Sequence, residues 1–470
     1  MNKTYTVREY DNLVCADKDD EESSSLLGNN HLVVKEVYDE LKNYLLSSLK
    51  DDKAQMFRVA KLGSKRGVGE TIRLQNYVGV ISLRNGARFE VLPKIYVGDS
   101  ALSKAKDIKS ILLSMLCTLK DFPAIELNST SLGLADMDIY EIFVRIYLQR
   151  VLALVKKGLK SEYSLVEENS NSYRGRLLVS EQIKFNSAHE ERFFMQKEVY
   201  DLDRHENRLI KSALKKLLRE SDDFENIRLA RRLLCDFDPV PESADYERDY
   251  ASIVFDNGNK EYLDIIQWSM VFLRNRTFSI FDEKTDGQAL LFPMEKVYEA
   301  YIANRLGDMV KLFNKSNGLS WKVLCQERAK YLFDVPKAFR IRPDIRIDSG
   351  QNIVLDTKWK LLSKNEARNG ISQGDMYQMY AYSKRYQASQ VYLLYPHTPI
   401  DKDIRYKTYR TDEETSPTRV DLKFLDLDNI VKLKDKLTDK LTDKYCLYDL
   451  VRDIKNNNPG TANINLMASI

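Results

Sequence analysis

The chain has 470 residues, enough for two or three domains, with 43% hydrophobic residues to build cores and 30% charged residues to solvate the surface. Its 73 basic residues nearly balance 70 acidic ones, and the net charge of +3 argues against nucleic-acid binding through overall charge, so any basic surface must be local. Five scattered cysteines (Cys15, Cys117, Cys235, Cys325, Cys446) without a CxxC pair exclude a disulfide framework or zinc ribbon, and four histidines, none at ligand spacing, leave little for a His-based zinc site. The N-terminal MNKTYTVREYDNL lacks the apolar core of a secretion signal, and no run approaches the roughly 18 apolar residues of a membrane span. A reduced, cytoplasmic protein is expected.

The acidic, Ser-rich residues 16–30 predict a loop. HLVVKEVYDELKNYLLSSL spaces apolar residues three and four apart and predicts a helix. From Phe57 to Ile95 the pattern changes to short alternating runs, and VISL and RFEVL flanking Asn85-Gly86 predict a hairpin. Residues 61–94 carry seven basic and two acidic side chains, a net of +5. Two readings stay open: a solvated sheet face, or a surface that docks nucleic acid or an acidic partner through Arg73, Arg84, Arg88 and Lys94. RGVGE holds a lone GxG with no helix signal after it, so no nucleotide site is set there.

Residues 105–235 read as mostly helical, with apolar stripes in DIKSILLSMLCTL, DIYEIFVRIYLQRVLALVKKGL and ENRLIKSALKKLLRE. On the last, Lys211, Lys215, Lys216 and Arg219 oppose the leucine stripe, a pattern that favours a solvated face over a DNA-binding one. Gly175, between Arg174 and Arg176, predicts an unusual backbone or a close approach. The Pro-rich, acidic residues 236–250 predict a connection between domains. Beyond it, helices near 260–276, 294–313 and 371–386 alternate with strands near 321–333, 339–347, 352–360 and 390–395, an α/β order around a central sheet. KDKLTDKLTDK predicts an exposed helix, and the last residues a disordered tail. The expectation is an α+β multidomain chain: a β-rich N-terminal region over 1–104, a helical middle with its linker over 105–250, an α/β domain over 251–425 and a tail over 426–470.

FRIRPDIRIDSGQNIVLDTKWKLL places charge on apolar-patterned strands, which is costly unless something pairs it. Strand alternation puts Asp344 opposite Ile345 and Ile347, and puts Asp356 and Lys358 together, opposite Ile353, Leu355 and Trp359. A hairpin turning on DSGQN therefore brings Asp344, Asp356 and Lys358 together. Two hard carboxylates suit Mg²⁺, and a lysine beside them suits orienting water or neutralising charge on a phosphate. The bland alternative is an exposed sheet face. Upstream, Glu299 on an amphipathic helix is a further carboxylate, with Glu295 one turn earlier as its rival. Downstream, Asp375, Gln378 and Tyr382 share a helix face that is otherwise an aromatic core stripe.

Glu299, Pro343-Asp344, Asp356-Thr357-Lys358 and Gln378-x-x-x-Tyr382 in this order resemble the PD-(D/E)XK nuclease core, and the Gln-x-x-x-Tyr element resembles its RecB-like branch. The resemblance implies metal ligands at Asp344, Asp356, the Thr357 carbonyl and Glu299. It implies catalysis by Lys358 and support from Gln378, Tyr382 and the neighbouring Asp375. NYVGVISLRNGARFEVLPKI, YRGRLLVSEQI, ENRLIKSAL, MEKVYEAYI and DMYQMYAY, spread over about residues 75 to 395, resemble the McrC family of McrBC-type modification-dependent restriction systems. That resemblance implies an N-terminal docking region and a C-terminal α/β nuclease core with a mixed central sheet. It further implies Mg²⁺, with Mn²⁺ as a substitute, and modified double-stranded DNA as substrate. The implied partner is a McrB-type AAA+ GTPase oligomer that holds the GTP; no GxxxxGK[ST] occurs in this chain. Two other readings remain: a stand-alone RecB-like nuclease, and a non-catalytic adaptor that activates an AAA+ motor.

Overall fold

The computed structural model describes residues 3–16, 30–48, 59–65, 69–83, 85–95, 105–119, 137–254, 260–274, 289–362, 367–397, 408–412, 417–427 and 447–456. These form two compact units: one from residues 1–137, 279–284 and 290–470, the other from 138–278 and 285–289. The expected boundaries at 104 and 250 do not coincide with this division.

In the first unit, β1 (Thr4–Arg8), β2 (Asn12–Ala16) and β3 (Asn30–Val34) precede α1 (Lys35–Ser48). The helix expected from His31 thus starts four residues later. His31–Val34 are a strand instead, because the β-branched pair Val33-Val34 pairs in parallel with Cys15 and Ala16 of β2. β4 (Ala60–Lys65) and β5 (Gly69–Leu74) complete a sheet of order β3-β2-β5-β4. β6 (Tyr77–Ser82) and β7 (Arg88–Leu92) form the expected hairpin, with Gly86 at φ 85° in its turn. α2 (Ala105–Leu116) brings Lys109 to within 2.9 Å of Glu90, a buried ion pair.

This burial corrects the docking reading at one position. Arg88 is 5% exposed, so it does not belong to an exposed basic face. Arg73 is exposed and Lys94 half-buried; Arg66 and Arg84 lie outside the described residues, as do residues 17–29 of the acidic insert.

The second unit contains α3 (Ile139–Lys157), β8 (Glu162–Ser170), β9 (Arg176–Leu177), α4 (Val179–Asn186), β10 (Phe193–Asp201), α5 (His205–Glu220), α6 (Phe224–Asp236), α7 (Tyr246–Ala251) and α8 (Lys260–Arg274). The helical expectation missed the three-stranded sheet β8-β10-β9. Its strands bury little, so they carry no clean apolar alternation to read. Gly175 sits at φ 110°, and a Cβ there would meet the Gln196 carbonyl oxygen at 2.5 Å, which is the close approach its sequence context predicted. The α5 lysines are used internally: Lys216 Nζ donates to the Phe272 carbonyl at 2.6 Å and Lys211 Nζ to the Asp238 carbonyl at 3.1 Å. Residues 236–250 are no interdomain connection. Phe237 and Val240 are buried, so the segment packs within this unit, and α8 joins it rather than opening the C-terminal domain.

The chain then returns to the first unit. β11 (Ala289–Pro293) joins the edge of β6, giving the order β1-β7-β6-β11. α9 (Met294–Asn317) follows, then β12 (Lys322–Cys325), β13 (Lys330–Asp334), β14 (Lys337–Ile341), β15 (Ile345–Asp348), β16 (Asn352–Thr357), α10 (Gln373–Tyr386), β17 (Ala388–Pro396), β18 (Thr408–Arg410), β19 (Arg419–Leu425) and α11 (Leu447–Asn456). Six strands form a mixed sheet, β12-β15-β16-β17-β19-β18, in which β16, β17 and β19 run parallel. β13 and β14 form a separate hairpin. Met379, Tyr382 and Tyr386 of α10 pack on Val354, Val391, Leu393 and Leu422 of the sheet, while the ring of Tyr298 on α9 meets Trp359 at a tilt, centroids 5.2 Å apart. The tail repeat expected to form a helix lies outside the described residues, as do residues 457–470. Among the described residues, no helix is long and apolar enough to cross a membrane, and Cys15, Cys117, Cys235 and Cys325 are outside any disulfide.

Candidate active site

β15 and β16 pair in register Ile345↔Leu355 and Ile347↔Ile353, so the expected hairpin turns on residues 349–351. Alternation along β16 sends Val354 into the core beneath α10, and Asp356 shares its parity. Asp356 is 1% exposed, so this is a covered face and not the exposed sheet face of the bland alternative. Thr357 and Trp359 have the opposite parity, and Trp359 meets Tyr298 of α9.

Asp356 is held by Lys358, whose Nζ lies 2.5 Å from its Oδ2. Lys358 Nζ also donates to Gln378 Oε1 at 3.1 Å and lies 3.9 Å from Asp375 Oδ1. Gln378 Nε2 donates to Tyr382 Oη at 2.8 Å, and that hydroxyl donates to the Arg342 carbonyl at 2.7 Å. One row of contacts thus runs from the strand carboxylate through the lysine and along α10 to the residue before Pro343-Asp344. Asp344 precedes β15, and its Oδ2 accepts from both the amide and the hydroxyl of Thr357, each at 2.7 Å. Glu299 of α9 accepts from the Gln326 side chain, while the Gln326 amide donates to the Asp344 carbonyl at 2.9 Å. The rival Glu295 is exposed, and its charge acts on Glu9 and Tyr10 instead.

Charge is crowded here. Burial, and then the charge of Asp344, push Asp356 up to about 7. Burial likewise raises Glu299, with Asp344 adding to it, and burial raises Asp344 against the two bonds from Thr357. For Lys358 burial works the other way, but the carboxylates of Asp356, Asp375 and Asp344 outweigh it and hold the ammonium above its ordinary range. The lysine is therefore a fixed cation at neutral pH.

A cation among such carboxylates would relieve the cost that burial imposes on them, and hard oxygens are the donors Mg²⁺ takes. Among the described residues, no three His, Cys, Asp or Glu side chains are placed to hold a metal ion together. The residues that could take such an ion are Asp344 and Asp356, with main-chain oxygen and water to complete it, while Glu299, expected as a further ligand, is engaged by Gln326. Sequence patterning did not single out Gln326, Lys360 or Glu9. Gln326 bridges Glu299 and Asp344 from a left-handed backbone, φ 51°. Lys360 holds Asp375 at 2.7 Å. Glu9 accepts from the Trp359 indole. None sits in a pattern that would mark it; they are found only by where the chain brings them.

Residues 72–396 match the profile of the McrBC 5-methylcytosine restriction system component family. Among solved structures, the chain is similar to a refined half-complex from the tetradecameric assembly of Thermococcus gammatolerans McrB AAA+ hexamers with bound McrC. The TM-score is 0.64 at 17% identity, over 92% of this chain and 100% of that one. The cryo-EM structure of the Thermococcus gammatolerans McrBC complex aligns with TM-score 0.46 and 18% identity, over 66% of this chain and 88% of that one. No curated protein sequence matches.

Proposed function

The chain belongs to the McrBC 5-methylcytosine restriction system component family, and from this premise we propose that it is the DNA-cutting subunit of a McrBC-like complex. The observation that carries the reading is the row Asp356–Lys358–Gln378–Tyr382, with Asp344 fixed beside it. Acid, acid and lysine recur in this order in the PD-(D/E)XK nucleases that these residues resemble.

Asp344 and Asp356 would hold Mg²⁺, which when bound polarises a phosphate and offsets the negative charge gathering on it. Lys358 stays charged and directs its ammonium to that same charge, so it acts electrostatically and not as a proton acceptor. Gln378 and Asp375 fix where the ammonium points. Thr357 keeps Asp344 oriented through its amide and hydroxyl. The partner is a McrB-type AAA+ GTPase oligomer, whose GTP hydrolysis this chain stimulates, and the substrate is modified double-stranded DNA. The fold shared with McrC-containing assemblies supports this partner.

The test combines the chain with such a partner, GTP, Mg²⁺ and methylated duplex. Wild type cuts, while Asp356→Ala and Lys358→Ala lose cutting by about a hundredfold or more, the scale of removing one preorganised electrostatic group. Equal cutting by either variant refutes the site. Equal cutting without the partner points to a stand-alone nuclease. Preserved GTPase stimulation with no Mg²⁺-dependent cutting by wild type points to an adaptor.

A further inference from the structure

We propose that the β13–β14 hairpin is a wedge that enters the DNA duplex beside the cutting site; the proposal rests on the nuclease reading above. Three observations lead there. First, the tip is apolar and bare. Val335 is 94% exposed, the highest among the large hydrophobic residues described, and Phe339 and Phe333 are 73% and 55% exposed. The two phenylalanine rings stand edge to face at 6.0 Å, with Phe339 in a left-handed backbone at φ 54°. A bulky residue rarely adopts that conformation, and such positions concentrate where a protein engages a ligand.

Second, the hairpin is cationic. Residues 328–342 carry five basic side chains and one acidic. Lys330, Lys337 and Arg340 are exposed. The single acid, Asp334, is tied to Arg385 of α10 at 2.6 Å. An apolar point flanked by cations suits a duplex: the cations meet phosphates, and the point separates stacked bases.

Third, both legs are rooted in the candidate active site. The incoming leg leaves from Gln326, which contacts Glu299 and the Asp344 main chain. The outgoing leg ends at Arg342, whose carbonyl accepts from Tyr382 and which lies two residues before Asp344. Arg385 Nε also donates to the Tyr331 carbonyl at 2.7 Å, bracing the stem on α10. The paired residues from Lys330↔Ile341 to Asp334↔Lys337 span four steps, about 13 Å of strand. That reach exceeds the depth of either groove, roughly 8 Å. The tip can thus enter a groove while the legs of the hairpin stay at Gln326 and Arg342, beside Asp344.

The experiment uses the full chain in Ca²⁺, alone and with its AAA+ partner, on a duplex carrying 2-aminopurine. Wild type and the cutting-deficient Asp356→Ala should raise the base fluorescence as stacking is lost. The triple variant Phe333→Ser/Val335→Ser/Phe339→Ser, altered only at exposed positions, should lose that rise and bind the duplex at least tenfold more weakly. Lys337→Glu and Arg340→Glu should weaken binding and shallow its salt dependence by about one unit each. The wedge is overturned if wild type produces no unstacking under either condition, or if the triple variant binds and unstacks like wild type. It is equally overturned if the triple variant dissolves a self-association of wild type, or loses GTPase stimulation with DNA binding intact; the tip would then contact a second copy or the motor. These results are separable from the active-site reading. Asp356→Ala cutting normally refutes the site and leaves the unstacking result standing, whereas normal cutting without unstacking refutes only the wedge.

Discussion

The Trp359 indole Nε1 donates to Glu9 Oε1 at 2.8 Å across 350 positions of sequence. Glu9 sits just after β1 and also accepts from the Lys94 amide at 2.8 Å. Trp359 follows Lys358 directly. A buried acid thus ties the N-terminal sheet to the strand end that carries the candidate catalytic residues.

Burial raises Glu9 from the ordinary 4.5 to about 7, and its second oxygen is buried without a hydrogen-bond partner among the described residues. Its folded value exceeds its unfolded one, so its contribution is complete below 4.5 and is lost as pH rises to about 7. At about 1.4 kcal/mol per unit, the decline is on the order of 3 kcal/mol. Glu9→Gln should remove it. Urea denaturation should show little difference from wild type at pH 4.5 and a more stable variant at pH 8; parallel pH profiles for the two proteins would refute this.

Mg²⁺ should stabilise the folded chain in the absence of DNA. A ligand at a hundred times its dissociation constant adds about 2.7 kcal/mol, so a rise in thermal midpoint should appear with wild type and vanish in Asp344→Ala and Asp356→Ala. Calorimetry in Mg²⁺ and in chelator checks it, independently of cutting.

Lys358→Arg should cut no better than Lys358→Ala. The ammonium is gripped at 2.5 Å by Asp356 and donates at 3.1 Å to Gln378, a narrow seat for a planar guanidinium. Cleavage at saturating DNA measures this, and activity near wild type in the arginine variant would mean that charge alone suffices.

Tyr382→Phe removes the hydroxyl between Gln378 and the Arg342 carbonyl. The expected stability loss is about 1 kcal/mol, with a roughly tenfold slower cleavage rate and unchanged DNA affinity. Single-turnover kinetics separates the two quantities; a change in affinity alone would place Tyr382 in DNA binding instead.

Gly79→Ala should destabilise the N-terminal sheet by several kcal/mol. Gly79 has φ 133°, and an added Cβ would collide with the Leu290 carbonyl on β11. Hydrogen exchange should show early opening of β6 and β11; protection equal to wild type would disprove the steric argument.

The hairpins and amphipathic helices were legible because period-2 and period-3.6 patterns survive wherever one face is buried, as for Leu209, Ile210 and Leu217 of α5. The strand parity of Asp356 and Lys358 was legible for the same reason. The β8–β10 sheet escaped because both of its faces are largely solvated. The burial of Asp356 escaped because one strand's alternation does not reveal what covers it. Polar ties across long separations were invisible too. Glu141, on an apolar-striped helix, accepts from Ser221 at 2.6 Å and from Asn226 at 2.9 Å, some 80 residues later, and no local pattern encodes such a meeting.

The joining of β11 to β6 sets an order of events during synthesis. The open edge of β6 emerges with residue 82, but the strand that covers it ends at residue 293. Until then the growing chain carries an unpaired edge, a hazard for association with other chains. The same stretch of ribosomal output must supply the whole of residues 138–278 as an intervening unit before the first can close. Residue 294 then begins α9 at once, so the covering of that edge and the delivery of Glu299 are successive moments of one event.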